Sequence, residues 1–364
     1  MRAAFSILAA LAVGAGCGGG DPWGLAGGDP QPVLIESPGD QINPSLDGDT
    51  LAWFDLAGDP NGACHTPAYD PDGRPDETCQ GVLRTLDLRS GRLRTVSAAA
   101  DMELLPVVAG GWVAWHCRDA QGRGVCASPV AERDVRYHPG IDQYSAAWHD
   151  STVRLAAAGG QVFWADYSSG PERYVYQLRR TDLADGSSQI LAELQRFPNA
   201  LAASAQRVAW VSQHWDGQRH ILLESLDLRS GQQQTLVDST DAGLFGLAVA
   251  GDTVAWKQSL YADGQLQVQV RYHQTGHQVR RADSPNARVS AETPLSAAPS
   301  RLAWLDHRDG DYRVAVYDLE TETEQLITPE EAIVGAYATP TLTDDLLVHP
   351  DLRQGNWDLL LLPR

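Results

Sequence analysis

The sequence predicts an all-β chain, a seven-bladed β-propeller of four-stranded antiparallel blades closed by an N-terminal strand pairing with the last blade. Three observations predict it. A tryptophan-bearing phrase recurs at a nearly constant spacing. Each copy sits within the same order of four short strands divided by turn residues. The final copy supplies three strands, and the front of the chain offers the missing fourth.

The phrase is two apolar or small residues followed by tryptophan. It reads Leu51-Ala52-Trp53, Val113-Ala114-Trp115, Val162-Phe163-Trp164, Val208-Ala209-Trp210, Val254-Ala255-Trp256 and Leu302-Ala303-Trp304, with steps of 62, 49, 46, 46 and 48 residues. A seventh copy is degenerate but in register. Moving 302–312 forward by 45 sets Leu302 on Leu347, Trp304 on His349, Asp306 on Asp351, Arg308 on Arg353, Gly310 on Gly355 and Tyr312 on Trp357. In each unit a small, apolar first strand such as Pro106 to Ala109 suits a crowded central axis. A Gly/Asp turn leads into the tryptophan strand, whose indole packs between blades and buries on the order of 200 Å². A third strand ends in an Asp-Leu turn, as at Asp87-Leu88, Asp227-Leu228 and Asp318-Leu319, and a fourth closes the unit, as at Gln233 to Val237. The third strand of the second copy, Val125 to Pro129, is the weakest. Val33-Leu34-Ile35, placed just before the first full copy, completes the last blade and removes the open edge. The domains are therefore a signal segment 1–16, a tether 17–31 and one propeller over 32–364.

The unit resembles the TolB-like (WD40-like) propeller repeats of exported bacterial proteins. The sixth copy carries the resemblance most fully, through Pro294, Leu302-Ala303-Trp304, Asp306, Arg308, Gly310, Tyr317-Asp318-Leu319 and Leu326-Ile327-Thr328. The resemblance covers roughly residues 32–364. It implies the fold strongly and the function weakly, because propellers host many unrelated activities.

Arg2, the apolar run from Ala3 to Val13 and the small residues before Cys17 have the layout of an export signal, too short to span a bilayer. It resembles a lipoprotein signal, which makes Cys17 the lipidated first residue. Cleavage without lipid is the alternative, since Gly14 stands where such signals carry leucine. Gly18 after the cysteine favours the outer membrane, so an exported lipoprotein anchored there is expected, facing periplasm or exterior. A Gly14-x-Gly16-x-x-Gly19 match to a dinucleotide fingerprint straddles the cleavage point and is discarded. Four further cysteines allow three pairings, of which Cys64–Cys79 and Cys117–Cys126 each bracket one local excursion. Disulfides fit an oxidising compartment. Metal binding is the rival reading, but neither pair has the Cys-x-x-Cys spacing of a zinc knuckle.

With 47 acidic and 28 basic residues the chain carries a net charge of −19, which repels nucleic acid and anionic lipid. Lys257 is its single lysine. No zincin, P-loop, nucleophile-elbow or Ser-x-x-Lys signature is present. His273 and His277 are spaced i, i+4, but Thr275-Gly276 between them reads as a turn rather than the helix that would bring both rings to one face. No cofactor is expected.

Propeller ligands usually meet the face that carries the inter-blade loops and the loops after the second strand. The inter-blade loops are placed at 38–43, 99–105, 138–152, 195–199, 239–245, 285–293 and 330–339. They offer Tyr144, Trp148, His149 and Asp150 at one place, with Asp101, Glu103, Arg196, Glu292 and Tyr337 at comparable ones. Aromatic rings beside carboxylates grip sugars or basic side chains; the bland alternative has Trp148 plugging the channel mouth. Asp55, Asp166, Asp306 and Asp351 recur two places after the tryptophan slot, and such recurrence reads as structural, with each carboxylate accepting backbone N–H groups. Asp70, Asp72 and Asp76, between Cys64 and Cys79, alternate as in part of a calcium loop, although prolines fit a rigid turn there equally well.

The expected function is a non-enzymatic binding scaffold in the cell envelope, a monomer engaging an envelope protein or cell-wall glycan and touching membrane only through its lipid. A module of a larger envelope complex is a further reading. The alternative from another class is a carbohydrate-active propeller like the oligogalacturonate lyases, whose resemblance implies clustered histidines and a divalent metal in the channel. Convergence there of His116, His149, His214, His307 and His349 would favour it.

Overall fold

The structure, a computed structural model, describes residues 33–35, 41–56, 80–101, 106–119, 122–132, 134–139, 141, 156–169, 174–262, 265–285, 287–290, 293–308, 310–327, 340–351 and 358–363. Their strands form seven four-stranded antiparallel sheets. After β1 (Val33–Ile35), blade one comprises β2 (Gln41–Asp47), β3 (Thr50–Asp55), β4 (Gln80–Asp87) and β5 (Arg92–Asp101). Blade two is β6 (Val107–Ala109), β7 (Trp112–Asp119), β8 (Gly122–Pro129) and β9 (Arg136–Pro139). Blade three is β10 (Ala157–Ala158), β11 (Gln161–Ser169), β12 (Tyr174–Asp182) and β13 (Ser188–Leu194). Blade four is β14 (Pro198–Ala203), β15 (Arg207–Trp215), β16 (Arg219–Asp227) and β17 (Gln233–Ser239). Blade five is β18 (Gly243–Ala250), β19 (Thr253–Ala262), β20 (Gln265–Gln274) and β21 (Arg280–Arg281). Blade six is β22 (Ser296–Ala297), β23 (Arg301–Asp306), β24 (Arg313–Asp318) and β25 (Thr323–Leu326).

The seventh blade closes the ring as the strand count requires. Its order is β1, β28 (Asp358–Pro363), β27 (Leu346–Asp351), β26 (Thr341–Leu342), with Val33 opposite Leu361, Leu34 opposite Leu360 and Ile35 opposite Leu359. β1 packs both ways. Leu34 lies against the blade six–seven core, and Val33 and Ile35 against the core shared by blades seven and one.

Each tryptophan of the repeat turns toward the preceding blade. Trp53 packs against Val348 and Leu361 of blade seven, Trp115 against Phe54 and Leu83 of blade one, and Trp210 against Phe163 and Leu178 of blade three. Trp256 and Trp304 repeat the arrangement against blades four and five. Trp164 is only partly buried and donates its Nε1–H to Thr181 Oγ1 at 3.0 Å. The core is thus a circle of blade-to-blade interfaces.

The Asp-Leu turn closes by a repeated device. Asp227 Oδ1 accepts the amides of Arg229 (3.1 Å) and Ser230 (2.7 Å), and Asp318 Oδ1 accepts those of Glu320 (3.0 Å) and Thr321 (2.8 Å). The Ser230 and Thr321 amides foremost hold these carboxyls below the ordinary carboxylate range. The following leucine amide returns to the first turn of its own blade, as Leu228 N donates to Gln206 O at 2.9 Å and Leu319 N to Ser300 O at 2.8 Å. At the central axis, turns of adjacent blades come into close approach. A Cβ on Gly110, whose φ is +58°, would lie 2.6 Å from the Gly159 backbone, so that turn needs glycine.

Several boundaries differ from expectation. β8 spans eight residues and pairs fully with β7, so the third strand of blade two is regular. The inter-blade loops are shorter than expected at 41–43, 99–101, 198–199 and 243–245, which belong to β2, β5, β14 and β18. Three of those four are first strands that pass a register shift, between Ile42 and Ser45, Pro198 and Ala200, and Phe245 and Ala248, and then resume pairing. The bulge lets the strand bend away from the axis without ending.

Candidate functional site: the central channel and its loop face

Seven first strands surround a central channel, a cavity of 1350 Å³ lined mainly by alanine, valine, leucine and serine from β2, β6, β10, β14, β18, β22 and β26. One mouth lies among the turns between first and second strands, where acidic residues gather. Asp47 Oδ2 accepts the Gly110 amide at 2.8 Å, Asp344 Oδ1 accepts the Ser300 amide at 2.9 Å, and Asp49 pairs with Arg89 at 2.6 Å. Asp47 and Asp344 are thereby engaged in joining one blade to the next.

The opposite face carries the tips of the hairpins between second and third strands, such as residues 216–218 between β15 and β16. Tyr144, Trp148, His149, Asp150, Glu103, Glu292 and Tyr337 lie outside the described residues, as do Cys17, Cys64, Cys79, Asp70, Asp72 and Asp76. Asp101 ends β5, the outermost strand of its blade, with its backbone opposite Gln80. It belongs to a strand rather than a free loop because β4 and β5 continue pairing past two register shifts. Arg196 is exposed between β13 and β14. Of the expected binding residues, Asp101 and Arg196 are thus the two that fall among the described residues.

The histidines fall in different blades. His116 on β7 and His349 on β27 are buried within their sheets, and His349 Nδ1 donates to Pro350 O at 2.9 Å. His307 follows β23 and tilts against Tyr312, 5.7 Å between ring centroids. His214, the residue before the last of β15, lies opposite His220. None of these four lines the channel. His273 and His277 are separated by a turn with Gly276 at φ +82°, and burial foremost pushes His273 below the ordinary imidazole value.

The recurring aspartates meet side chains as well as backbone. Asp55 pairs with Arg84 at 2.7 Å and Asp166 with Arg179 at 3.1 Å. In both, the arginine lies opposite the blade's tryptophan on the third strand. Blade two places Cys117 and Cys126 in those same two positions, and they form a disulfide with Cα atoms 5.7 Å apart. One diagonal between second and third strands is thus tied by an ion pair, a disulfide and an ion pair in successive blades. Asp306 pairs with the Arg308 guanidinium at 2.9 Å, and in addition its Oδ1 accepts the Arg308 amide at 2.9 Å and its Oδ2 the Arg288 amide at 3.1 Å, the backbone role anticipated from recurrence.

Two features escaped the sequence. Lys257 is wholly buried on β19 and donates to Ser290 O at 2.6 Å, to Thr293 O and to Thr293 Oγ1 at 3.4 Å. It fastens the chain entering blade six to blade five. The same chain holds blade six through Ser290 N to Leu305 O, 2.9 Å, and His307 N to Arg288 O, 3.0 Å. The second feature is the tip of the β15–β16 hairpin, a loop after a second strand. Trp215 there is 71% exposed, and His214, Asp216 and His220 converge beside it. Its signal was the run His214-Trp215-Asp216-Gly217-Gln218-Arg219-His220, a hairpin turn flanked by histidines.

No protein-family model and no curated protein matches the chain. Solved structures do. The β-propeller domain of the trilobed protease from Pyrococcus furiosus, described as having an open velcro topology, is 8% identical at a TM-score of 0.59, over 89% of this chain and 95% of that one. An oligogalacturonate lyase in complex with manganese is 11% identical at 0.55, over 88% and 87%. TolB from Acinetobacter baumannii is 13% identical over 79% and 78%, at a TM-score of 0.38 that carries no argument. The chain spans about half the length of several peptidases that it also matches. At these identities the likeness shows the fold alone, and the chain is a seven-bladed β-propeller.

Proposed function

We propose that the chain is an exported, outer-membrane-anchored lipoprotein whose TolB-like propeller acts as a non-enzymatic scaffold, binding an envelope protein or a cell-wall glycan on the loop face. The observation that carries this reading is Trp215. A tryptophan 71% exposed at a hairpin tip, on the face where propeller loops meet ligands, leaves a large apolar ring in water. Such rings anchor protein interfaces and stack on sugars. The alternative, a carbohydrate-active enzyme with its site in the channel, has less to support it. The described channel strands present small and aliphatic residues, and His116, His214, His307 and His349 lie away from them.

The test is capture from the native envelope extract and on purified cell-wall glycan, with the parent chain and Trp215→Ala compared. Loss of an anchoring tryptophan is expected to weaken retention by about 2 kcal/mol, roughly 30-fold. Retention unchanged by the substitution would remove Trp215 from the account. Turnover of oligogalacturonate by the purified chain would replace the scaffold reading with the enzymatic one.

A further inference from the structure

We propose that His214, Asp216 and His220 form a binding site for a divalent transition-metal ion of the zinc type, with Asp238 as the outer residue that orients His220. The inference is separate from the scaffold reading and rests on different atoms.

The hairpin builds the site from its pairing. His214 and His220 are directly opposed on β15 and β16, so their side chains leave the same face of the sheet. Asp216, two residues after His214, begins the turn between the strands. Its Oδ1 lies 3.4 Å from His220 Nε2 and its Oδ2 3.9 Å from His214 Nε2. The three ligand atoms all fall within 4.8 Å of one another. Donors about 2.0–2.1 Å from a tetrahedral zinc ion are separated by about 3.4 Å. The Oδ1–His220 distance is already that value, the approach to His214 runs through the other oxygen, and the three ligand atoms close from within 4.8 Å of one another by side-chain rotation.

The outer contact fixes the chemistry of one ligand. Asp238 on β17 faces His220 Nδ1 at 3.1 Å. A carboxylate there accepts the Nδ1 proton and leaves the Nε2 lone pair directed at Asp216, the arrangement that holds metal-bound imidazoles in register. The rings of His214 and His220 lie nearly parallel, 4.8 Å between centroids and 13° between planes, so binding one ion tilts them toward each other. The neighbouring cation does not intrude. Arg219 lies on the other face of the hairpin, with Nη2 on Gln213 Oε1 at 3.3 Å.

Two imidazoles and one carboxylate suit zinc and neighbouring late first-row ions more than calcium or magnesium, which prefer oxygen alone. Asp216 is 60% exposed, so a fourth coordination position opens to water or to a group on a partner. The net charge of −19 concentrates cations near such a surface.

Cobalt(II) titration into the purified, chelator-treated chain tests the proposal, because cobalt reports its coordination through visible absorption. One equivalent is expected to bind with a tetrahedral or five-coordinate spectrum, and one equivalent of zinc to abolish it. His214→Gln and His220→Ala should each remove the spectrum while far-ultraviolet circular dichroism stays that of the parent. Asp238→Asn should weaken binding about 10–100-fold, and His277→Ala should change nothing. Absence of saturable binding, or a spectrum that survives in the His214→Gln/His220→Ala double variant, overturns the proposal.

Discussion

Replacing Trp304 with alanine is expected to destabilise the chain by about 3–5 kcal/mol, read as a fall in the urea midpoint. Trp304 is fully buried and meets Tyr272, Val270 and Ala255 of blade five together with Leu302, Ala315 and Tyr317 of its own blade. Truncation leaves a void between two sheets, and each sheet is held by its neighbours on both sides, so collapse into the void would strain the whole ring. Trp164 and Trp215 calibrate the effect. Trp164 is only partly buried and should cost less than half as much, whereas Trp215→Ala should stay within about 0.5 kcal/mol of the parent. A Trp304 variant as stable as the Trp215 one would contradict the interface account.

Lys257→Met is expected to cost about 3 kcal/mol. Methionine keeps the length of the stem, which passes Gly246 so closely that a Cβ there would sit 3.1 Å from Lys257 Cδ. The loss is therefore of donors rather than volume. The carbonyls of Ser290 and Thr293, buried with the ammonium, no longer receive them. Arginine is not a substitute, since its planar fork is wider than the ammonium it replaces. Denaturation midpoints of the three proteins check the claim, and a Lys257→Met variant equal to the parent would show that the ammonium contributes nothing net.

The fold was legible because its determinants are side chains repeated at one slot. Trp53, Trp115, Trp164, Trp210, Trp256 and Trp304 mark the second strand of six blades, and His349 keeps the register of the seventh through its neighbours Leu347 and Asp351. Val33–Ile35 was legible because an unpaired sheet edge is costly and a suitable strand was at hand. Lys257 was not, since its partners are backbone carbonyls, which carry no residue signature. The pairing of His214 with His220 was missed for a different reason. Helical i, i+4 spacing drew attention to His273 and His277, whereas a hairpin brings i and i+6 together across its turn. The first strands ran longer than expected because a bulge lets pairing resume beyond residues that read as loop.

Amide hydrogen exchange across 358–363 is the most direct test of the closed ring. With β1 in place, β28 lies between two hydrogen-bonded neighbours, β1 and β27, and its amides should be as protected as those of β24 in blade six. Leu34→Pro removes a donor opposite Leu360 and disrupts the strand, and should speed exchange in 358–363 while leaving β16 and β20 unchanged. Rapid exchange of β28 in the parent, or exchange that Leu34→Pro does not alter, would mean that the front of the chain does not close the circle.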